Sequence, residues 1–167
     1  MNLAHQRTKW RGKDMINKLI ALLIVLILFN PIMSFGKSNG MELIDAAFKG
    51  DKDAVNRLLD AGVNPNSHDS DGATALMYAS LKGHTHVVQL LLTRGASINA
   101  KGTYGDTALM NAAWGGHVDV VKLLLKKGAN PNAIAESSTG PVTAMSQAKI
   151  RGHDEIVQIL KKAGAKR

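Results

Sequence analysis

Cysteine is absent from all 167 residues. Disulfides and thiolate metal sites are therefore excluded, while the compartment is left open. No Asn-x-Ser/Thr acceptor for N-glycosylation occurs anywhere. The longest unbroken apolar run, Leu19 to Phe29, is eleven residues. A spanning helix wants roughly 20. Arrangements that carry chemistry are missing as well. There is no nucleophile motif, no Gly-rich phosphate cradle ahead of a helix, no His-rich chelate, and no carboxylate pair outside capping or solvated positions. Neither an enzyme nor a metal or cofactor site is expected.

What remains is basic, with a formal net charge of +8. Residues 1–36 hold Arg7, Lys9, Arg11, Lys13 and Lys18 against Asp14, which is +4. The remainder has 21 − 5 = 16 bases and 13 − 1 = 12 acids, again +4. Half of the charge thus belongs to the N-terminal segment, and the rest is an ordinary solvated surface. Nucleic acid is not an expected partner.

Residues 1–36 read as a targeting segment. A basic, polar start runs to Lys18, the apolar run follows, and Asn30-Pro31 stops any helix. Ser34-Phe35-Gly36 then offers the small residues of a cleavage site ahead of Lys37. This is the layout of a secretory signal peptide. A retained N-terminal membrane anchor is the other reading. In both, the five bases ahead of the run keep the N-terminus on the cytosolic side, and the rest of the chain lies across the membrane. Bacterial export is the preferred form, making the protein periplasmic or secreted. Residues 37–40 are expected to be a linker.

The rest of the chain repeats itself. Thr74-Ala75-Leu76-Met77-Tyr78-Ala79 sits 33 residues before Thr107-Ala108-Leu109-Met110-Asn111-Ala112. The same offset links Gly83-His84 to Gly116-His117, Val88 to Val121, Leu91-Leu92 to Leu124-Leu125, and Gly95-Ala96 to Gly128-Ala129. A fixed period of this length marks stacked repeats. Thr143-Ala144-Met145-Ser146-Gln147-Ala148 is a weaker copy, and Met41 to Phe48 a fainter one before the first.

The pattern resembles the ankyrin repeat, a turn followed by two short antiparallel helices. The resemblance rests on the Thr-x-Leu-x-x-Ala openings and on the Gly-His, Val-Val and Leu-Leu-x-x-Gly-Ala signatures. The family's Pro is Ala75, Ala108 and Ala144 here, and its His is Met77, Met110 and Ser146. Loss of that His is expected to weaken the hydrogen-bonded turn. The implied fold is an all-α solenoid of four stacked helix-turn-helix units after the N-terminal hydrophobic targeting helix. The units run over about 41–71, 72–104, 105–140 and 141–167. The first and last act as caps with polar outer sides, and a monomer is expected.

His84, His117 and His153 recur once per unit. Ligands separated by a whole repeat cannot share one ion's coordination shell, so they read as structural hydrogen bonders. From Thr107 to Thr143 is 36 residues, not 33. Three residues have been inserted between Ile134 and Pro141, within a turn. The insertion is either drift in a solvent loop or a protrusion shaped by a partner.

Stacking leaves an extended concave face of turn fingers and exposed first-helix sides, where proteins similar to this bind others. The positions carried over are Phe48 and Lys49; Ser70, Asp71 and Ala73; Leu81 and Lys82; Thr103, Tyr104 and Asp106; Trp114 and Gly115; and Ile150 and Arg151. Lys101 and Ile134 lie at the finger bases. Phe48, Leu81, Trp114 and Ile150 form one apolar column, one per unit. That column either packs under the fingers as core or faces a ligand, with Tyr104 on a nearby finger. Aromatic side chains suit the second role, because they bury much area at little entropic cost. The expected function is a non-enzymatic module that binds a protein partner. A membrane-tethered envelope protein with a structural or protective role, and an effector directed at a host cell, are the alternatives.

Overall fold

Short helices come in pairs here because glycine and histidine punctuate the apolar sequence at fixed intervals. The computed structural model describes residues 36–138 and 140–166. Among them are eight helices. The first of each pair are α1 (Gly36–Lys49), α3 (Ala75–Lys82), α5 (Ala108–Gly115) and α7 (Ala144–Ile150). Their partners are α2 (Lys52–Asp60), α4 (Thr85–Thr93), α6 (Val118–Lys126) and α8 (Asp154–Lys162). Two three-residue strands, β1 (Ala135–Ser137) and β2 (Gly140–Val142), make an antiparallel hairpin. The segment read as a signal peptide or anchor lies outside the described residues up to Phe35. Residues 37–40, expected as a linker, belong to α1, where Asn39 and Gly40 are buried. Gly40 is pressed so closely on Ser67 that a Cβ there would sit 2.8 Å from the serine Cβ.

Threonine opens three of the inner helices. The Thr74 hydroxyl accepts the Met77 N–H at 3.4 Å, Thr107 that of Met110 at 3.4 Å, and Thr143 that of Ser146 at 3.1 Å. In two units the third helical residue bonds back. Met77 Sδ accepts the Thr74 N–H at 3.5 Å, and Ser146 Oγ accepts the Thr143 N–H at 2.9 Å. The expected weakening of the turn is thus partly made good. A thioether and a hydroxyl close the reciprocal cap in place of an imidazole, the thioether as the weaker acceptor.

Packing follows the repeat. α1, α3, α5 and α7 form an inner row and α2, α4, α6 and α8 an outer row, each helix touching its neighbours in both directions. Ala46 and Ala47, Ala79, Ala112 and Ala113, and Ala148 are buried where the inner helices meet. Side chains this small let the helices approach closely. The core repeats in columns. Leu43, Leu76, Leu109 and Met145 line the inner row, while Val55, Val88, Val121 and Val157 line the outer one. Each such side chain contributes about 1.5–3 kcal/mol by leaving water. Among the described residues no helix is long and apolar enough to cross a membrane.

Two ladders of side chains tie unit to unit. The ring Nε2 of His84 donates to the Phe48 carbonyl at 3.0 Å, that of His117 to Leu81 at 2.9 Å, and that of His153 to Trp114 at 3.3 Å. A carbonyl only accepts, so each ring must carry its proton on Nε2. These are the structural histidines expected from the repeat. The glycine that ends the preceding inner helix makes room for each ring. At Gly83 the backbone has φ 77° and a Cβ would run into the His117 ring; Gly116, also at 77°, stands in the same relation to His153. The second ladder uses asparagine. Asn66 Nδ2 donates to Gly95 O at 3.2 Å while its Oδ1 accepts the Ser97 N–H at 2.7 Å. Asn99 does the same to Gly128 and Asn130, and Asn132 to Gly164 and Lys166.

The fingers make a third line. Gly72 and Gly105 turn them at φ 72° and 81°. Thr103 N–H donates to Asp71 O at 2.9 Å, and Glu136 N–H donates to Tyr104 O at 2.8 Å. The last finger is the hairpin, with Ala135 paired to Val142 where the preceding finger pairs Gly102 with Asp106. The span grows from 106 − 102 = 4 to 142 − 135 = 7. The three inserted residues thus lengthen this finger into a hairpin of two short strands.

Candidate interaction surface

The exposed stripe of an inner helix is set by the α-helical period, which brings residues i, i+3 and i+4 to one face. In α1 these are Asp45, Phe48 and Lys49. The matching sets are Tyr78, Leu81 and Lys82 in α3; Asn111, Trp114 and Gly115 in α5; and Gln147, Ile150 and Arg151 at the end of α7. Stacking turns them into three columns: one polar, one apolar and one basic but for Gly115.

The apolar column is not core. Phe48 is 40% exposed, Trp114 37% and Ile150 72%, with Leu81 half-buried between the first two. Tyr104, at 68%, and Ile134, at 53%, stand out from the finger region. Basic side chains of the next unit lie across the two aromatic rings. Lys82 Nζ sits 4.4 Å from the Phe48 ring centre, and the Arg151 guanidinium 4.4 Å from that of Trp114. Such contacts are worth about 0.5–1 kcal/mol at exposed sites. Leu81 has no matching cover, because its next-unit neighbour in the basic column is Gly115. A side chain at 115 would in any case meet the His117 ring and Leu81 O.

Beside Phe48 stands Tyr78, edge-on, with ring centres 5.9 Å apart. Its hydroxyl donates to Asp69 Oδ2 at 2.8 Å. The other Asp69 oxygen accepts the N–H groups of Asp71 and Ala73 at 3.0 and 2.9 Å. Partial burial raises the Asp69 pKa, but the bonds from Tyr78, Ala73 and Asp71 outweigh it, and the net shift is down from 3.8. The same bond, helped by burial, holds the Tyr78 phenol above its usual 10.0. One carboxylate thus fixes the first finger and an aromatic of the inner wall together.

Not every expected residue joins this arrangement. Lys49 turns back along its own helix to Asp45, Nζ to Oδ2 2.6 Å, and both are well exposed. A depression of about 390 Å³ beside that pair, between α1 and α2, is lined by further mixed charges, Glu42, Asp51 and Arg57. Asp71 is exposed and joins the face through its carbonyl, by the finger bond to Thr103. Asp106 is half-buried and lies against Gly102. Lys101 is exposed just before the finger, and among the described residues no ring contact joins Tyr104 to Trp114. Also among the described residues, no group of three or more His, Asp or Glu side chains is placed to hold a metal.

Sequence reasoning passed over the Asp69–Tyr78 pair and the asparagine ladder. The second was readable, since Asn66, Asn99 and Asn132 recur at intervals of 33. Arg94, just past the end of α4, also reaches into the preceding unit, with Nη1 2.7 Å from Asp60 and Nη2 2.6 Å from Asn56.

Residues 43–135 match the family model for ankyrin repeats (3 copies). The chain belongs to the ankyrin repeat family. Its fourth ankyrin unit, α7 and α8, lies beyond the matched span and is joined to the third by His153 and Asn132 as the others are joined. No curated protein matches the chain. Ankyrin repeats are protein-interaction scaffolds, and the inner-helix face with its fingers is the part of this scaffold whose large side chains are not consumed by stacking.

Proposed function

We propose that this ankyrin protein is a non-enzymatic scaffold that grips a protein partner through its concave face, after export across the inner membrane. One observation carries the binding part: an apolar column stays exposed along the inner helices, and the histidine bonds between units that end on Phe48, Leu81 and Trp114 use only their backbone carbonyls. A fold that needs large apolar groups only for itself has reason to bury them. The mechanism is complementarity to a preformed surface, so little ordering of the scaffold is required on binding.

The test pairs Trp114→Ala with Tyr104→Ala. Captured on beads, the unaltered chain should retain a partner from envelope extracts and the double variant should lose it, with unfolding of the two chains in urea closely similar. A variant that keeps both its fold and its partner removes the face from consideration. Export rests on the basic start, the apolar run and the small-residue exit in residues 1–36. A mature chain shorter by about 36 residues supports a periplasmic or secreted protein. Full length in the membrane fraction supports the second reading, in which tethering raises local concentration near an envelope partner. An effector carried onward into a host cell is a third destination compatible with the same segment.

A further inference from the structure

Of the inner-face cations, Lys49 is neutralised by Asp45. Lys82 and Arg151 have no carboxylate within ion-pair distance among the described residues. Each rests on an aromatic ring instead. A ring face, unlike a carboxylate, neither cancels the charge nor takes up its N–H donors, so both stay available for a charge-assisted hydrogen bond. Lys82 ends α3 and Arg151 caps the end of α7, with α5 between the two helices. Packed helices stand about 8–10 Å apart, so the two positions are about 16–20 Å apart along the stack. Midway lies Leu81, half-buried and with no cation across it, because Gly115 stands at that place in the basic column.

Resting on the reading of this face as the binding surface, we propose that the partner presents an extended segment with two carboxylates flanking a large apolar side chain. The carboxylates engage Lys82 and Arg151, and the apolar group seats over Leu81 beside Gly115. An extended strand rises about 3.3 Å per residue, which puts the two acidic residues about five or six positions apart. Charge complementarity selects such a segment over a basic one, which would meet the same two cations with repulsion.

The experiment is selection of a random peptide library displayed on phage against the full-length chain, followed by fluorescence anisotropy with the enriched peptides made synthetically. Enriched sequences should carry an acidic pair at that spacing around Leu, Ile, Phe or Trp. Lys82→Gln and Arg151→Gln should each weaken binding by about tenfold at low salt, an effect that added salt shrinks. Lys82→Arg should retain binding, and circular dichroism should show all variants folded, as expected for exposed positions. Peptides without the acidic pair that still depend on Trp114 would overturn the proposed chemistry while leaving the face as a binding surface. Peptides indifferent to Lys82→Gln, Arg151→Gln and Trp114→Ala would overturn both. No enrichment over bare support would overturn the inference as well.

Discussion

The second and third ankyrin units are the same fold written twice, and the places where they agree differ in kind from the places where they do not. Thr74 and Thr107, Gly83 and Gly116, and His84 and His117 are identical at a spacing of 33, as are Asn66 and Asn99 in the turns that lead into the two units. Each caps a helix, makes room for a ring, or bonds to a neighbouring unit. Tyr78 against Asn111, Leu81 against Trp114, and Lys82 against Gly115 all differ, and all face the inner side; on the fingers ahead of the two units, Asp71 against Tyr104 differs as well. Agreement between units thus traces what stacking needs. Disagreement traces surface that stacking leaves free to vary. The distinction can be broken by showing that an agreeing position is dispensable, or that a differing one carries the fold.

The largest effect belongs to the shared core. Leu76 and Leu109 occupy equivalent sites and are both about 1% exposed. Leu76→Ala and Leu109→Ala should each cost about 3 kcal/mol, from lost transfer energy and the cavity left behind. Urea unfolding should give closely similar losses for the two. Trp114→Ala, at a differing position, should cost less than half of that. A core change that proved harmless in one unit alone would show that the units are not equivalent.

Next in size is the histidine ladder. His117→Ala removes a part-buried bond of 2.9 Å at the central junction. It also leaves the Leu81 carbonyl without its imidazole donor, for an expected loss of about 1–2 kcal/mol. The terminal bond of His153 is longer, at 3.3 Å, and more exposed, so His153→Ala should cost less in the same urea titration. Equal losses would mean that position in the stack does not matter.

The Asp69–Tyr78 pair joins the first finger to the second unit and has no counterpart 33 residues on, where Gly102 and Asn111 stand. Its removal by Tyr78→Phe should cost about 1 kcal/mol. The pair also predicts a pH signature. The Asp69 pKa is lowered in the folded chain, so its contribution is complete above the ordinary 3.8 and is lost as pH falls through the lower folded value. The Tyr78 pKa is raised, so its contribution is complete below 10.0 and is lost as pH rises through the higher folded value. Denaturation midpoints taken across pH should show the stability advantage of the parent over Tyr78→Phe shrinking at both extremes. A constant difference would mean that the loss does not come from the bond between the Tyr78 hydroxyl and the Asp69 carboxylate.

These contrasts also explain what was legible beforehand. A period of 33, helix-capping threonines and Gly-His steps are local and regular, so the solenoid could be read along the chain. The candidate face was legible as positions, because the helical period fixes which residues share a side. Its contacts were not. Lys82 covers Phe48 at a separation of 82 − 48 = 34, and Arg151 covers Trp114 at 151 − 114 = 37. Such pairs depend on how far a flexible side chain reaches across to its neighbour, which no spacing rule encodes. Gly36 to Gly40 has the composition of a linker, yet it forms the start of α1, with Asn39 and Gly40 buried and Gly40 close against Ser67.

The smallest effect tests the comparison from the opposite side. Ser80 is fully buried, and its hydroxyl has no hydrogen-bond partner among the described residues. The third unit has Ala113 at the equivalent place, equally buried. Here the two units disagree inside the core, where the argument from stacking expects them to agree. A buried, unsatisfied hydroxyl carries a desolvation cost that alanine does not. Ser80→Ala, which copies the third unit into the second, should therefore stabilise the chain by about 0.5–1 kcal/mol. It should raise the urea midpoint at unchanged slope, since the surface exposed on unfolding hardly changes. A lower midpoint would mean that the hydroxyl is satisfied in solution, by a helix carbonyl or a trapped water. The second unit would then hold a structural bond of its own, and difference between units would no longer suffice to mark a position as free of the fold.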